Sequence, residues 1–286
     1  MTARLGAIHR YPVKSTRGES PSSAVVEPWG LRDDRRWALV DRDGRAVTAR
    51  THQTLLLVSA RCTATGITAS AAGRDDLTVP FPTGPVEPVR HFRKTMMTVP
   101  AGRSADTWFT ELLDEPVRLM YQADPRTRPV DPEFGRPDDR VSLADGYPLL
   151  LASTSSLAAL NAWIATGPYA AEGPMDMRRF RPNLVVDGAP AWAEDDWRRI
   201  RIGAAEFRVV KGCNRCVLTT VDPDTAARGR EPLVTLAQHR QWDRSVWFAS
   251  NLIPDNPGVR LTVGDELTVL ESAARRRPVD AADQDN

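Results

Sequence analysis

Residues 209–225 read VVKGCNRCVLTTVDPDT, with Cys213 and Cys216 three positions apart and Arg215 against the second. Four chemistries compete for such a pair. Structural zinc takes four ligands, usually two such pairs or one pair with two histidines. Here Cys62 stands alone, and His9, His52, His91 and His239 are scattered without ligand spacing. A thioredoxin-like dithiol draws its low thiol pKa from a helix N-terminus. The sequence instead predicts strands on both sides, EFRVVK before the pair and the β-branched VLTTV after it. A single thiolate on a soft transition metal needs only one reactive cysteine, a cationic neighbour such as Lys211 or Arg215, and a turn to aim it. Two buried thiols beside a strand remain the alternative for this segment by itself, because free cysteine is among the most buried residue types.

Other segments add to the cysteines. YPVKS ends the first predicted strand with Lys14 and Ser15, an ammonium and a hydroxyl suited to an oxyanion. DDRRW puts Arg35 and Arg36 at the mouth of the next strand, where alternation points one inward and one outward. RFRPNLVV sets Arg181 and Asn183 before another strand. Singly, each reads as a solvated charge near a turn. Together they suit a polyanionic, hydrogen-bond-rich organic cofactor, with arginine forks on phosphate. Of 38 basic residues only Lys14, Lys94 and Lys211 are lysine. The glycine-rich dinucleotide and P-loop fingerprints, the G-x-S-x-G elbow and H-E-x-x-H are all missing from the sequence. GRPDD, AEDDW and DPDT cluster carboxylates that serve as acids, bases or turn formers, and the turn reading is favoured at Asp222-Pro223.

These residues need strands to hold them. RLGAIHRYPV reads as a strand, RRWALVDRDGRAVTAR as a hairpin turning at Asp43-Gly44, and GITASAAGRDDLTVPF as a second hairpin. SADTWFTELLD predicts a helix capped by Ser104. Residues 123–140, with four prolines and many charges, predict a long surface loop or domain seam. YPLLLASTSSLAALNAWI is a buried strand followed by a helix, and EPLVTLAQHRQW is a later helix among NLVVDG, WRRIRIGAAEFRVVKG, CVLTTV and GVRLTVGDELTVLE strands. Strands dominate without regular strand–helix alternation, so the fold class is α+β, mostly β, containing a barrel. A net charge of +1 gives no reason to expect a nucleic-acid partner. The sequence shows no apolar run of the roughly 18 residues that span a bilayer and no signal-peptide h-region, so the expected location is cytoplasmic, without membrane contact.

YPVKSTRGES, DDRRWALVDRDGRAVTAR, DGYPLLLAS, RFRPNLVVDG…AEDDW, RIGAAEFRVVKGCNRCVLTTVDPDT and NPGVRLTVGDEL occur in the order found in MOSC-domain proteins with a MOSC N-terminal region. The chain thus resembles the mitochondrial amidoxime-reducing components and the bacterial YcbX-like molybdenum enzymes, from about residue 5 to residue 270. The resemblance implies a MOSC-type β-barrel over residues 123–272 and a smaller α/β N-terminal domain over 1–122. It further implies that residues 1–35 join the barrel, and residues 273–286 are read as a disordered tail. It implies a molybdenum–pyranopterin cofactor (Moco) with Cys216 as the protein ligand to the metal. Cofactor contacts carry over to Lys14, Ser15, Arg35, Arg181, Asn183, Asn214 and Arg215, and through backbone to Gly146 and Tyr147, which stand where the mitochondrial proteins have a Thr-Ser pair. The implied activity is two-electron reduction of N-hydroxylated or N-oxygenated compounds of amidoxime or hydroxylamine type. An external electron-transfer protein is the expected partner, since no flavin, haem or Fe–S motif, and no C-terminal [2Fe-2S] domain of the YcbX-like proteins, is read in the sequence; the mitochondrial anchor segment is not read there either. Asp195, with Glu194, is the candidate proton donor. Alternatives are a cofactor or sulfur carrier without turnover, and a scaffold that has lost its cofactor.

Overall fold

The computed structural model describes residues 2–91 and 94–274, so most of the predicted C-terminal tail lies outside the described residues. One eight-stranded sheet organises the fold. Its order is Arg4–Ile8, Leu184–Asp187, Leu149–Ser153, Ser245–Pro254, Ala205–Asn214, Trp197–Ile202 and Leu267–Ser272, with Gln241–Trp242 paired to the side. The sheet curls until its ends meet. Leu5 N donates to Asp265 O at 2.8 Å and Leu267 N to Ala3 O at 2.8 Å, which nearly closes a barrel and leaves little free edge.

Period-two alternation fills this barrel. The Ala205–Asn214 strand alternates buried and half-buried from 205 to 209, then stays half-buried as far as Cys213. Phe207 and Val209 therefore join Leu5, Leu151, Leu184 and Leu252 in the core, each worth roughly 1.5–3 kcal/mol of burial. Beyond Val209 the strand leaves the core. Its pairing with Ser245–Pro254 shifts register between Val209 and Lys211 and again between Gly212 and Asn214. Such bulges re-aim side chains. Gly212 lies close against Trp247, since a Cβ there would sit 3.2 Å from its ring, a tight contact.

The N-terminal half adds a five-stranded sheet, a three-stranded sheet over residues 59–80 and the helix Arg103–Leu113. Trp37, Leu55, Phe109 and Leu119 fill a second core between them. Both predicted hairpins form, Trp37–Val40 with Ala46–Val47 and Gly66–Ser70 with Leu77–Pro80. Three local expectations change. The helix is capped at Gly102, whose φ of 106° brings the chain in, and Ser104 lies inside its first turn. Residues 217–220 form a short 3₁₀ turn and not a strand, because Thr219 and Thr220 hydroxyls donate back to Cys216 O and Val217 O at 3.0 and 2.8 Å. Cys216 caps that turn. The 123–140 segment is also less solvated than expected, for Arg128 is buried and donates to Ser142 O, Ala144 O and Asp145 O.

Candidate functional site

A cavity of about 210 Å³ is lined by residues of both halves. The cofactor and metal candidates all line it, namely Lys14, Ser15, Arg35, Gly146, Tyr147, Arg181, Asn183, Asn214, Arg215 and Cys216, whereas Asp195 and Glu194 do not. Three non-glycine residues of its lining hold left-handed backbone. Ser15, Arg35 and Arg181 hold φ of 72°, 48° and 54°, values that cost non-glycine residues free energy and persist where the surroundings over-determine them. Hydrogen bonds do so: Lys14 N donates to Trp37 O at 2.7 Å, Arg35 N to Tyr11 O at 2.8 Å, and Arg181 ends the 3₁₀ turn Met177–Phe180.

The side chains interlock. Tyr11 lies between two guanidinium groups, Arg35 at 4.5 Å and Arg181 at 4.2 Å from its ring centre. Arg35 donates to Asp34 Oδ2 at 2.5 Å and to Asn183 Oδ1 at 2.9 Å, while Asn183 Nδ2 donates to His9 O. Arg181 donates to Thr16 O at 2.8 Å. Arg215 donates to Phe180 O and to the Cys213 sulfur, each at 2.8 Å, yet its buried Nε has no hydrogen-bond partner among the described residues. That is a donor held ready for an acceptor. Arg35 and Arg36 diverge as alternation suggests, but neither meets solvent freely: Arg35 lines the cavity, and Arg36 turns away and is buried, donating to Gln122 O and Ala123 O.

Burial without enough carboxylates sets the electrostatics. Desolvation pulls Lys14 down to about 8, only partly offset by Asp145 at 2.5 Å, and pulls Arg181 down to about 10. Lys14 is therefore charged below pH 8 in the folded protein and neutral above it, while the unfolded lysine keeps its proton to about 10.5. Two consequences follow with opposite signs. In this window the unfolded chain binds more protons, so this group's contribution to stability of the anion-free protein rises with pH. Affinity for an anion in the cavity falls as pH rises through about 8. Calorimetric titration of the cofactor-free protein with sulfate, whose charge is constant there, should show that fall, and Lys14→Met should remove it. A pH-independent affinity in the unsubstituted protein would show that Lys14 does not face the anion.

Asp195 is not brought to this cavity. It forms a buried ion pair with Arg240 at 2.7 Å and borders a separate cavity with Lys211, Trp242 and Trp247. Glu194 is buried too, accepts from Ser156 Oγ, and is pushed up to about 7 by desolvation. Neither lines the cavity around Cys216. The sequence reading also passed over Thr48, Arg50, Arg179, Cys213 and Asn251 as lining residues. Arg50 donates to Asp145 Oδ2 at 2.7 Å and lines the cavity together with Cys216. Arg179 pairs with Asp222, the residue whose Asp-Pro context reads as a turn. No group of three or more His, Cys, Asp or Glu that could hold a metal occurs among the described residues.

Residues 2–116 match the family model described as the MOSC N-terminal beta barrel domain, and residues 138–268 match the MOSC domain. The chain is 36% identical over 281 residues to mitochondrial amidoxime-reducing component 1 of Homo sapiens, covering 91% of this chain and 81% of that protein. It is 34% identical over 248 residues to mitochondrial amidoxime reducing component 2 of Homo sapiens, covering 82% and 72%. Among solved structures, the YUAD protein from Bacillus subtilis aligns over 93% of this chain and 94% of its own at 12% identity, with a TM-score of 0.42.

Proposed function

The chain belongs to the family of MOSC-domain proteins with a MOSC N-terminal domain that includes the amidoxime-reducing components, and on that premise we propose that it is a molybdenum-cofactor-dependent reductase of N-hydroxylated compounds. Its electrons come from a separate protein, and its compartment is the cytoplasm. No described helix is long and apolar enough to cross a membrane.

One observation carries the reading: a sulfur at a capped turn shares a cavity with six cationic side chains, Lys14, Arg35, Arg50, Arg179, Arg181 and Arg215, and one carboxylate, Asp145. The residues fit a pyranopterin cofactor. The cationic surplus suits its phosphate, and the orphan Nε–H of Arg215 suits one of its acceptors. With few protein ligands to offer, the site needs an organic group to complete a metal's coordination. Lys14, Ser15, Arg35, Arg181, Asn183, Asn214 and Arg215 would hold that group, with backbone contacts at Gly146 and Tyr147, and Cys216 would ligate its metal. When bound, the cofactor supplies two-electron redox chemistry at molybdenum. The chain's part is to grip the cofactor's charge through groups fixed to the backbone, and to leave the Arg50–Asp145 side open to solvent.

The test is molybdenum and pterin analysis of the purified protein, followed by benzamidoxime reduction with an artificial reductant. Benzamidine formation in proportion to molybdenum content is expected. Full occupancy without turnover of any N-oxygenated compound would point to the carrier reading, and absence of both metal and pterin to a scaffold.

A further inference from the structure

The charges at the cavity divide by how they are held. Lys14 donates to Leu143 O, Arg35 to Arg181 O, Arg181 to Thr16 O and Arg215 to Phe180 O, so each is anchored to backbone. Lys14 and Arg35 side chains are only 7% and 12% exposed. Arg50 and Asp145 form the solvent-facing pair, at 31% and 60%. They face each other across the two halves of the chain, Arg50 just beyond the Ala46–Val47 strand and Asp145 in the loop that Arg128 clamps. Arg50 and Asp145 line the same cavity as Cys216, the proposed metal ligand.

We propose that Arg50 and Asp145 are the substrate-recognition pair of this site, selecting planar N-hydroxylated compounds that carry N–H donors beside the N–O group. The inference rests on the reductase reading and deepens it. An amidoxime presents an NH₂ and an N–OH in one plane, so it offers donors and acceptors side by side. A guanidinium only donates and a carboxylate only accepts, and together they complement that edge. Arg50, in the cavity with Cys216, receives the N–O oxygen, and Asp145 receives the NH₂. The carboxylate has lone pairs enough to keep Lys14 and Arg50 while accepting a further N–H. A tertiary aromatic N-oxide has the oxygen without the donor, so Asp145 keeps Lys14 and Arg50 and gains no bond from it. A hydrogen bond to a charged group contributes about 1.5–3 kcal/mol, which is the discrimination that Asp145 can supply.

The experiment compares benzamidoxime with pyridine N-oxide in the holoenzyme and in Asp145→Asn and Arg50→Lys variants. Molybdenum content and the dissociation constant of benzamidoxime without reductant are measured alongside turnover. Asp145→Asn should lower the ratio of kcat/KM for benzamidoxime over pyridine N-oxide by roughly tenfold and weaken benzamidoxime binding in step, at unsubstituted molybdenum content. Arg50→Lys should weaken both substrates, since the oxygen is common to them. An unchanged ratio and unchanged binding in Asp145→Asn would overturn the proposal, as would loss of molybdenum in that variant, which would assign Asp145 to the cofactor cradle. If the unsubstituted holoenzyme reduces neither compound, the reductase reading itself falls. If it reduces both and the ratio does not move, only the recognition pair falls.

Discussion

Replacing Cys216 with Ala is expected to lower benzamidoxime reduction by more than about a hundredfold, while Cys213→Ala costs less than about tenfold. Mutating outer partners of a metal ligand typically costs ~10–100-fold, so losing the ligand itself costs more. The two sulfurs line the same cavity but are held differently. Cys213 packs against the cluster that includes Phe180 and Phe248, and accepts one N–H of Arg215. With that sulfur gone, Arg215 keeps its bond to Phe180 O and its position over the Phe180 ring at 5.5 Å. Cys216 caps the 217–220 turn and shares the cavity with Arg50. Turnover and molybdenum content measured on both variants settle the assignment. An inactive Cys213→Ala beside an active Cys216→Ala would mean that the other sulfur holds the metal.

The Arg-Cys step was legible in the sequence, and the geometry that aims it was not. Alternation in EFRVV located the barrel strand correctly, since burial fixes period two there. It failed at VLTTV, where β-branched residues suggest a strand and two threonine hydroxyls instead close a turn on the preceding carbonyls. The cavity-lining Lys14, Ser15, Arg181 and Asn183 were readable because they flank strand signals, whereas the choice of Arg35 over Arg36 came from the family resemblance. Arg50 and Arg128 were not readable, because in an arginine-rich chain only tertiary contact distinguishes a clamp from a solvated charge. Asp195 shows the reverse error. Carboxylates clustered in AEDDW look like acid–base chemistry, but Asp195 is spent on Arg240. The barrel class followed from strand density, whereas its closure depends on a pairing between Ala3 and Leu267 that no local pattern reveals.

Arg35→Met should destabilise the protein by about 3–5 kcal/mol, the usual cost of breaking a buried ion pair from one side. The Asp34 side chain is fully buried. Its Oδ1 accepts from Tyr11 N at 2.8 Å and its Oδ2 from Arg35 at 2.5 Å, so the variant leaves a buried carboxylate with one neutral donor. Arg35 also ties Asn183 and Arg181 O into the cavity wall. Stability and site integrity therefore move together in the single variant. The double substitution Asp34→Asn, Arg35→Met separates them, because a neutral amide keeps an acceptor for Tyr11 N and carries no charge to compensate. Urea unfolding at pH 7 should show the double variant recovering most of the single variant's loss. Sulfate binding to the cofactor-free protein should stay weak in both, since neither restores the guanidinium. Recovery of sulfate affinity in the double variant would mean that Arg35 serves the fold alone. A single variant within about 1 kcal/mol of the unsubstituted protein, the range of a surface pair, would mean that the pair is solvated in solution.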